Sequence, residues 1–324
     1  MKPFTFERGA SPSAQPTFAY LAGGTTLVDL MRLNVLSPQE VIDINDLRAT
    51  YGGIEFDENG LQLGALVHMA EAAEHDAVRS NYPLVAQALS LAASQQIRNM
   101  ATLGGNVLQR TRCPYYRDTR WASCNKRDPG SGCAALEGIT RKHAVLGCSS
   151  SCIAAYPVDF GQALLAMDAI VETLGPNGIR HFPFEKLHTL PGETPHIETS
   201  LLPGEIIVRF HIPRLEWARR SLYLKIRDRE SYEFAVASAA IALDITHGRV
   251  REVRLAIGGV ATKPWRAREA ENVLVGQPVS RELAMEAGRV AFRDAEGRPD
   301  AQNKIEIGMR TVARAVLEAS RLEI

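Results

Sequence analysis

The residues with the most distinctive chemistry are five cysteines, all of which lie between positions 113 and 152. They are Cys113, Cys124, Cys133, Cys148 and Cys152, with the spacing C-x10-C-x8-C-x14-C-x3-C. Zinc ribbons use paired C-x2-4-C spacings, and the single x3 pair here has no counterpart, so the pattern supports zinc poorly. Wide spacings in a long polar loop suit a [4Fe-4S] cluster, which takes one thiolate at each iron. The cysteines therefore predict a metal site, with zinc as the less favoured occupant.

A first glycine-rich loop, Leu21-Ala22-Gly23-Gly24-Thr25-Thr26-Leu27, lies between a predicted strand at Phe18–Ala22 and a predicted helix at Leu27–Leu33. Glycines at such a junction allow backbone N–H groups to approach an anion such as a pyrophosphate. The loop lacks the GxGxxG spacing of a Rossmann site and the GKS/T ending of a P-loop. A simple turn before a helix remains the alternative interpretation of this loop by itself.

A second glycine-rich segment, residues 96–107, reads QIRNMATLGGNV, and Gly104-Gly105-Asn106 interrupts its helical pattern. The two loops together, AGGTTL and IRNMATLGGN, resemble the FAD-binding fold of the vanillyl-alcohol oxidase superfamily. The resemblance is to the branch formed by the flavoprotein subunits of xanthine dehydrogenase, carbon monoxide dehydrogenase and related molybdenum hydroxylases. It extends over nearly the whole chain and includes YPVD at 156–159, LPGEII at 202–207 and KIRDRESY at 225–232, in the family's order.

This resemblance implies an α+β fold in two parts. A PCMH-type, two-lobed FAD-binding domain would span residues 1–216, with lobes at about 1–55 and 56–216 and a cysteine-rich insertion at 110–152. A C-terminal α+β domain of the CO dehydrogenase flavoprotein type would span residues 217–324 and cover the flavin cleft.

The resemblance also implies which residues bind FAD. The pyrophosphate would be wrapped by Tyr20, Leu21, Ala22, Gly23, Gly24, Thr25, Thr26 and Leu27, and the second loop would contribute Ala101, Thr102, Gly104, Gly105 and Asn106. Asp159 would hydrogen-bond the ribityl chain or the ring, Ile207 would pack on the isoalloxazine, and Lys225 would lie near its polar edge. From the residues alone, a surface charge or a surface salt bridge is the simpler interpretation of Asp159 and Lys225.

A subset of this family carries an insertion of this kind, and the segments around the cysteines resemble the flavoprotein subunit of periplasmic aldehyde oxidoreductases. The implied ligands are Cys113, Cys124, Cys133 and Cys152, which leaves Cys148 as a spare, although its spacing allows it to replace Cys152. We expect His143, in the same loop, to be exposed to solvent. Five cations in or beside the loop either stabilise an anionic cluster or form a solvated face: Arg110, Arg112, Arg120, Lys126 and Arg127.

The chain has no recognisable molybdopterin site and no plant-type [2Fe-2S] spacing, so partners must supply the hydroxylation chemistry. The resemblance implies a small subunit with two [2Fe-2S] clusters, a large subunit with the molybdenum cofactor, and an external electron acceptor. The eight histidines show no H-x3-H or H-E-x-x-H pairing, which argues against a histidine-based catalytic metal. Two alternatives stay open, a free-standing flavin oxidase of the same fold and an FAD-binding module stabilised by zinc.

Composition limits the partners further. Lys and Arg number 37 and so do Asp and Glu, and the pI is near 7.1, so we expect no binding to nucleic acid. No apolar run reaches about 18 residues, which predicts no membrane insertion. The N-terminal residues lack the apolar stretch of an export signal, so we expect a cytoplasmic protein, or a periplasmic one exported together with a partner that carries the signal.

The sites must be positioned by a mixture of strands and helices. Residues 53–67 predict a hairpin that turns at Asn59-Gly60. The remaining predicted helices are Met69–Val78, Leu84–Ala93, Phe160–Met167, Arg281–Arg293 and Ile305–Leu322, and the remaining strands are Val41–Ile44, Ala169–Leu174, Glu205–Ile212, Leu222–Ile226, Phe234–Ile245 and Val250–Val260.

Overall fold

A computed structural model of the protein describes residues 17–323, so the first sixteen residues of the predicted FAD-binding domain lie outside the described part. The strands are β1 (Phe18–Leu21), β2 (Glu40–Asp43), β3 (Ile54–Asp57), β4 (Gly60–Gly64), β5 (Ile170–Gly175), β6 (Gly178–Pro183), β7 (Ile206–Pro213), β8 (Ser221–Ile226), β9 (Ala237–Thr246), β10 (Arg249–Gly258) and β11 (Trp265–Arg266). The α-helices are α1 (Leu27–Arg32), α2 (Arg48–Tyr51), α3 (Met69–Glu74), α4 (Asp76–Asn81), α5 (Pro83–Ser90), α6 (Gln95–Arg98), α7 (Leu103–Val107), α8 (Pro114–Arg117), α9 (Phe160–Ala166), α10 (Arg268–Leu274), α11 (Arg281–Ala291) and α12 (Gln302–Ser320).

The N-terminal part is a small βαβ unit, as predicted. Strands β1 and β2 pair in parallel, with α1 between them in the chain. The first glycine-rich loop therefore sits at the carboxyl end of β1, directly before α1. This is the position in an α/β unit at which ligands bind.

A five-stranded antiparallel sheet, in the order β3-β4-β7-β5-β6, forms the next unit. The predicted hairpin is confirmed, since Asp57 pairs with Gly60 across its turn, where Gly60 has a φ of 131°. The sheet buries Leu61, Leu63 and Phe210 completely, in one core with residues of α3, α5 and α9. Strand β3 begins at Ile54 and pairs with β4 at one edge of this sheet.

The C-terminal part is a four-stranded antiparallel sheet, in the order β11-β10-β9-β8, covered by α10, α11 and α12. Its own core includes Ile241, Leu255 and Val312. Tyr223 and Ala240 of this sheet belong to the core of the N-terminal part, so apolar packing is continuous across the two sheets. No helix within residues 17–323 is long and apolar enough to cross a membrane.

Several elements differ from the sequence-based predictions. The predicted helix at 69–78 is two helices, α3 and α4, because His75 adopts an extended conformation between them. The break lets both Met69 and Val78 be fully buried. Gly104-Gly105-Asn106 lies inside α7 rather than interrupting a helix, and β6 and α10 were not predicted at all.

Candidate cofactor sites

The first glycine-rich loop is shaped by its contact with the second. Gly23 packs against the carbonyl of Met100 and leaves no room for a Cβ atom, and Gly24 has a φ of 71°. The backbone amides of residues 23–26 donate no hydrogen bond to any atom of residues 17–323. A loop that presents several free amides on one concave surface is suited to an anion such as a phosphate.

The second loop is held by a cap at the start of α7. The Thr102 hydroxyl accepts a hydrogen bond from the Gly105 amide at 3.2 Å. Gly104 lies against Ala65, where an added Cβ would come within 3.1 Å of the alanine methyl group. Asn106 is buried, and its Oδ1 accepts no hydrogen bond from any described residue. A buried unpaired acceptor beside an open cavity fits a ligand that carries a donor.

Two cavities meet at these loops and form one long groove. The larger cavity, of about 500 Å³, and the smaller cavity, of about 270 Å³, share Thr25, Thr26 and Gly105 as lining residues. Of the residues predicted to bind FAD, eleven line the smaller cavity: Tyr20, Ala22, Gly23, Gly24, Thr25, Thr26, Leu27, Thr102, Gly104, Gly105 and Ile207. The larger cavity is lined by Thr25, Thr26, Ala101, Gly105, Asn106 and Asp159 from the same set. Leu21 and Lys225 line neither cavity.

Asp159 and Lys225 form a buried pair, which corrects the interpretation of these residues as surface charges. The Lys225 ammonium donates to Asp159 Oδ2 at 2.7 Å and to the Leu91 carbonyl at 3.0 Å. The Tyr223 hydroxyl donates to Asp159 Oδ1 at 2.7 Å. Burial, together with the charge of Asp159, raises the pKa of Tyr223 far above its usual range, so this hydroxyl stays a donor. The carboxylate is therefore fixed at the wall of the larger cavity, with Lys225 behind it.

Basic and aromatic side chains that were not predicted to bind FAD complete the larger cavity. Arg112 and Arg117 both contact Asp29 Oδ2, at 3.3 and 2.8 Å, and each keeps a buried nitrogen without a partner among the described residues. Burial and the neighbouring Arg117 lower the pKa of Arg112, although Asp29 opposes this effect. The Phe234 ring lies 5.3 Å from the Arg112 guanidinium. In the sequence, Phe234 differs from its surroundings only as an aromatic residue within a strongly charged run, and this was the one signal that could have identified it.

The cysteine-rich insertion is organised by side chains that join distant segments. Asn125 Oδ1 accepts hydrogen bonds from the Gly130 and Gly132 amides at 3.1 and 2.8 Å, and its Nδ2 donates to the Ser151 carbonyl at 3.1 Å. Thr111 donates to the Ala155 carbonyl at 3.0 Å. An isolated β-bridge pairs Cys124 with Cys133. These contacts bring the chain around Cys124, Cys133 and Cys152 together.

The surroundings of the thiols distinguish Cys148 from three of the other cysteines. Cys113 accepts backbone N–H bonds from Tyr115 and Tyr116, Cys133 from Ala135, Leu136 and Ile153, and Cys152 from Ala154. Backbone donors of this kind stabilise a thiolate. The Cys148 thiol instead donates to the Ala144 carbonyl at 3.3 Å. Cys148 is therefore the thiol that uses its proton in a hydrogen bond to the backbone.

His143 is buried, and the prediction that it is exposed to solvent was wrong. Its Nε2 lies 3.2 Å from Cys113 Sγ, and burial, with help from Lys304, lowers its pKa to about 4. The Lys304 ammonium donates to the His143 carbonyl at 2.9 Å, which holds the histidine backbone in place. A loop rich in polar residues gave no sign that this side chain would be enclosed.

Most of the cations around the cysteines are paired within the protein rather than solvated. Arg110 and Lys126 flank the half-buried carboxylate of Glu198, whose pKa burial alone would raise but these two cations lower. Arg127 donates to backbone carbonyls, including that of Tyr116 at 2.7 Å. Arg120 is highly exposed, and its one ion pair within residues 17–323 is with Asp118. The charges of this region are therefore mainly structural, because they attach the insertion to its neighbours.

The spacing of the thiols bears on the metal. Thiolates about 2.3 Å from a single tetrahedral zinc ion would lie roughly 3.8 Å apart. No three Cys, His, Asp or Glu ligand atoms of the insertion lie within 4.8 Å of one another. An iron–sulfur cube stands between its ligands and requires them to be further apart. Within residues 17–323 the thiols are therefore not gathered at the spacing of a single zinc ion.

Comparison with protein families gives two matches that together cover most of the chain. Residues 7–215 match the FAD binding domain in molybdopterin dehydrogenase, and residues 222–317 match the CO dehydrogenase flavoprotein C-terminal domain. The chain is 44% identical to the aldehyde oxidoreductase FAD-binding subunit of Escherichia coli, over 98% of this chain and 99% of that protein. It is 26% identical to the glyceraldehyde dehydrogenase medium chain of Sulfolobus acidocaldarius, over 81% of this chain and 75% of that one.

Solved structures share the fold. A chain of quinoline 2-oxidoreductase from Pseudomonas putida aligns with a TM-score of 0.72 and 21% identity, over 94% of this chain and 90% of that chain. A chain of carbon monoxide dehydrogenase from Hydrogenophaga pseudoflava aligns with a TM-score of 0.71 and 24% identity, over 94% and 89%. The arrangement of two sheets with their covering helices is thus common to these proteins.

Proposed function

The chain belongs to the family of FAD-binding subunits of molybdenum hydroxylases, and from this we propose how it holds FAD and passes electrons. It is an oxidoreductase subunit. In our proposal the FAD pyrophosphate lies on the free amides of residues 23–26, and the unpaired Asn106 oxygen accepts from a hydroxyl or N–H group of the cofactor. The two cavities of the groove then receive the two ends of the cofactor.

The residues that line the two cavities suggest which end of FAD each cavity binds. The smaller cavity is mostly apolar, with Leu30, Leu36 and Ile207 in its wall, which suits the adenine. The larger cavity has the fixed Asp159 carboxylate and the Arg112 and Arg117 guanidinium groups. Such groups suit the polar edge of an isoalloxazine ring and its ribityl hydroxyls. Ile207 is therefore assigned to the adenine, in place of the isoalloxazine contact suggested by the family resemblance.

For Lys225 we propose a positioning role. Its ammonium is enclosed behind Asp159 and lines neither cavity, so it acts on the flavin through the carboxylate that it orients. Bound FAD would supply the conversion between one-electron transfers and two-electron delivery.

We further propose that Cys113, Cys124, Cys133 and Cys152 hold a [4Fe-4S] cluster, with Cys148 as a spare thiol. The observation that carries the electron-transfer function is a cavity of about 280 Å³ that is lined by both Cys113 and Asp159. Phe234 lines this cavity and also the larger cavity of the groove. A cluster on the cysteines and a flavin in the groove would therefore be neighbours, as an electron relay requires.

The remaining components would come from other chains. A small subunit with two [2Fe-2S] clusters and a large subunit with the molybdenum cofactor would oxidise an aldehyde or an N-heterocycle. Electrons would then reach FAD and leave to an external acceptor. We propose that the assembly is cytoplasmic, or periplasmic through export together with a partner that carries the signal.

The first test is an absorption spectrum of the anaerobically purified chain, with iron and acid-labile sulfide analysis. Flavin bands and a broad visible shoulder, with about four irons per chain, are expected for FAD together with a [4Fe-4S] cluster. Flavin without iron or sulfide would overturn the cluster and leave the flavin groove intact. Absence of flavin after gentle purification would overturn the proposed occupancy of the groove.

A second experiment asks whether the cluster relays electrons. Replacing Cys124 by Ser should abolish substrate-dependent reduction of the acceptor by the whole complex, while the flavin bands remain. Unchanged turnover in a Cys124→Ser complex that has lost its iron would show that the cluster is structural.

A further inference from the structure

The outer face of the five-stranded sheet carries a cluster of metal-ligating side chains away from both cofactor sites. It consists of Glu172 on β5, His181 on β6 and His211 on β7. One ligand atom of each residue lies within 4.8 Å of one atom of the other two. No other trio of His, Cys, Asp and Glu within residues 17–323 meets this condition.

Strand pairing explains how the three side chains meet. Glu172 on β5, which lies between β6 and β7, is directly opposite His181 on one side and Arg209 on the other. His211 is two residues beyond Arg209, so both side chains emerge on the same face of β7. Because the ligands come from three strands, local spacing in the sequence could not reveal them, and the absence of paired histidine motifs did not exclude this cluster.

The distances match the requirements of a single ion. Glu172 Oε2 lies 2.7 Å from His211 Nε2 and 3.5 Å from His181 Nε2. Ligand atoms placed about 2.0–2.1 Å from a tetrahedral zinc ion are roughly 3.3 Å apart. Both imidazoles thus face the same carboxylate oxygen at separations that bracket the value for a shared ion.

We propose that this cluster binds a divalent transition metal ion, with Zn²⁺ as its representative, through His181 Nε2, His211 Nε2 and Glu172 Oε2. Two imidazoles and one carboxylate are ligands that zinc, copper and nickel accept, and water completes the coordination. The ion cross-links β5 to both of its neighbours. This inference does not depend on the proposed flavin and iron–sulfur function.

Arg209 supports the ligand geometry. Its Nη1 donates to Glu172 Oε1 at 3.0 Å, which leaves Oε2 for the histidines. The guanidinium is itself held 5.0 Å from the Tyr51 ring. A hydrogen bond to the second oxygen of a ligating carboxylate orients it in many metal sites. The positive charge of Arg209 lowers the affinity, so we expect a weaker site than one built from the same ligands alone.

The alternative is an ion-pair network that fixes the strand register without any metal. Arg209 and His211 would be enough for that, because each already contacts Glu172. His181 decides between the two interpretations. Its side chain is 56% exposed and makes no hydrogen bond within residues 17–323, yet its ring faces the carboxylate. To a network His181 would add only a long, solvent-exposed ion pair, whereas a metal site requires it as a ligand.

The test compares Zn²⁺ binding by the intact, cofactor-loaded chain and by two variants, using anaerobic calorimetry. His181→Asn removes an exposed ligand, and His247→Asn is the matched control, since His247 lies in an exposed turn with a φ of 51° that asparagine tolerates. Changes around a ligand cost about 10–100-fold in affinity, so loss of the ligand itself should weaken one Zn²⁺ equivalent by about 100-fold or more. His247→Asn should bind as the wild type does.

Any Zn²⁺ taken up by the cysteines is the same in all three proteins, so only the difference between them is diagnostic. Equal Zn²⁺ stoichiometry and affinity in the wild type and His181→Asn would overturn the proposal, and so would no Zn²⁺ equivalent dependent on His181 up to millimolar concentration. Cu²⁺ electron paramagnetic resonance gives a second readout. Hyperfine splitting from two nitrogens is expected in the wild type and from one in His181→Asn, and an unchanged spectrum would also overturn the site.

Discussion

The flavin groove and the cysteine-rich insertion lie side by side but are built in opposite ways. The groove is made from backbone: free amides at residues 23–26, a glycine that touches Met100, and a cap on α7. The insertion is made from side chains that tie segments together, with Asn125 joined to the turn at Gly130 and Gly132 and to the more distant Ser151. A site built from backbone atoms is disrupted when a substitution adds side-chain atoms, whereas a site built from side chains is disrupted when a substitution removes one of those side chains.

The largest expected effect is on the metal content of the insertion. Replacing Cys152 by Ser should remove most of the iron, because its thiolate accepts a backbone N–H and belongs to the proposed ligand set. Cys148→Ser, the matched control, should keep about four irons per chain, since that thiol donates to a carbonyl instead. Iron and sulfide analysis of both variants decides. Loss of iron from Cys148→Ser with retention in Cys152→Ser would reverse the ligand assignment.

The next largest effect concerns the charged pair behind the groove. Asp159→Asn removes the counter-charge of the buried Lys225 ammonium, and breaking a buried pair in this way costs about 3–5 kcal/mol. Urea unfolding should detect this loss. The double variant Asp159→Asn with Lys225→Met should recover much of the stability, because no uncompensated charge remains. A change below about 1 kcal/mol in the single variant would mean that the pair is solvated.

A smaller effect should follow from adding one methyl group to the groove. Gly23→Ala forces the first loop away from Met100, and overpacking of this kind costs about 1–3 kcal/mol. If that cost falls on the bound state, FAD should bind about 5- to 150-fold more weakly. Gly53→Ala is the control, since a Cβ there meets nothing within 4 Å. Equal FAD affinities of the two variants, measured by fluorescence titration, would contradict the role given to the contact between the loops.

The smallest expected effect is a pH dependence of the folding stability, from a histidine between the groove and the insertion. His188 Nε2 donates to the Val107 carbonyl at 3.0 Å, and burial lowers the pKa of His188 to about 4. In the unfolded chain the histidine binds a proton below about pH 6.5, whereas in the folded chain it does so only near pH 4. The stability contributed by neutral His188 is therefore fully present above about pH 6.5 and is lost as the pH falls toward 4. Between pH 7 and 5.5 the loss should be about 1 kcal/mol.

Comparison with His188→Gln isolates that contribution. The variant should lose about 1 kcal/mol less than the wild type over the same interval, whereas the exposed His247→Asn should follow the wild type. Parallel profiles for all three proteins would show that His188 protonates as easily in the folded chain as in the unfolded one.

The sequence predicted the groove better than the insertion, and the difference in construction explains why. Glycine-rich loops between regular elements have local signals, so the βαβ unit and the hairpin at residues 53–67 could be located from periodicity and turn residues. The contact of Gly23 with Met100 could not be predicted, because it joins loops more than seventy residues apart. The burial of Asp159 with Lys225 is of the same long-range kind.

In the insertion, the cysteines predicted a metal site, but the sequence did not indicate where the neighbouring side chains would lie. His143 looked like a solvated residue in a polar loop, and only the tertiary structure encloses it against Cys113. The cations that seemed available to the cluster are occupied by Glu198, Asp29 and backbone carbonyls. The sequence shows which residue types the insertion contains. The contacts that these side chains make depend on segments from the rest of the chain.

The hydrogen bonds of Asp159 have a consequence for how this protein can be recombined. Asp159 lies within the segment that matches one family, whereas Tyr223 and Lys225, which hold it, lie within the segment that matches the other. Strand β8 is also hydrogen-bonded to α5, because the Tyr223 amide donates to Gln87 Oε1 at 2.8 Å. The halves are thus not interchangeable modules. A hybrid chain that takes its C-terminal half from a relative must carry a tyrosine and a lysine at these two positions if it is to keep the Asp159 carboxylate in place.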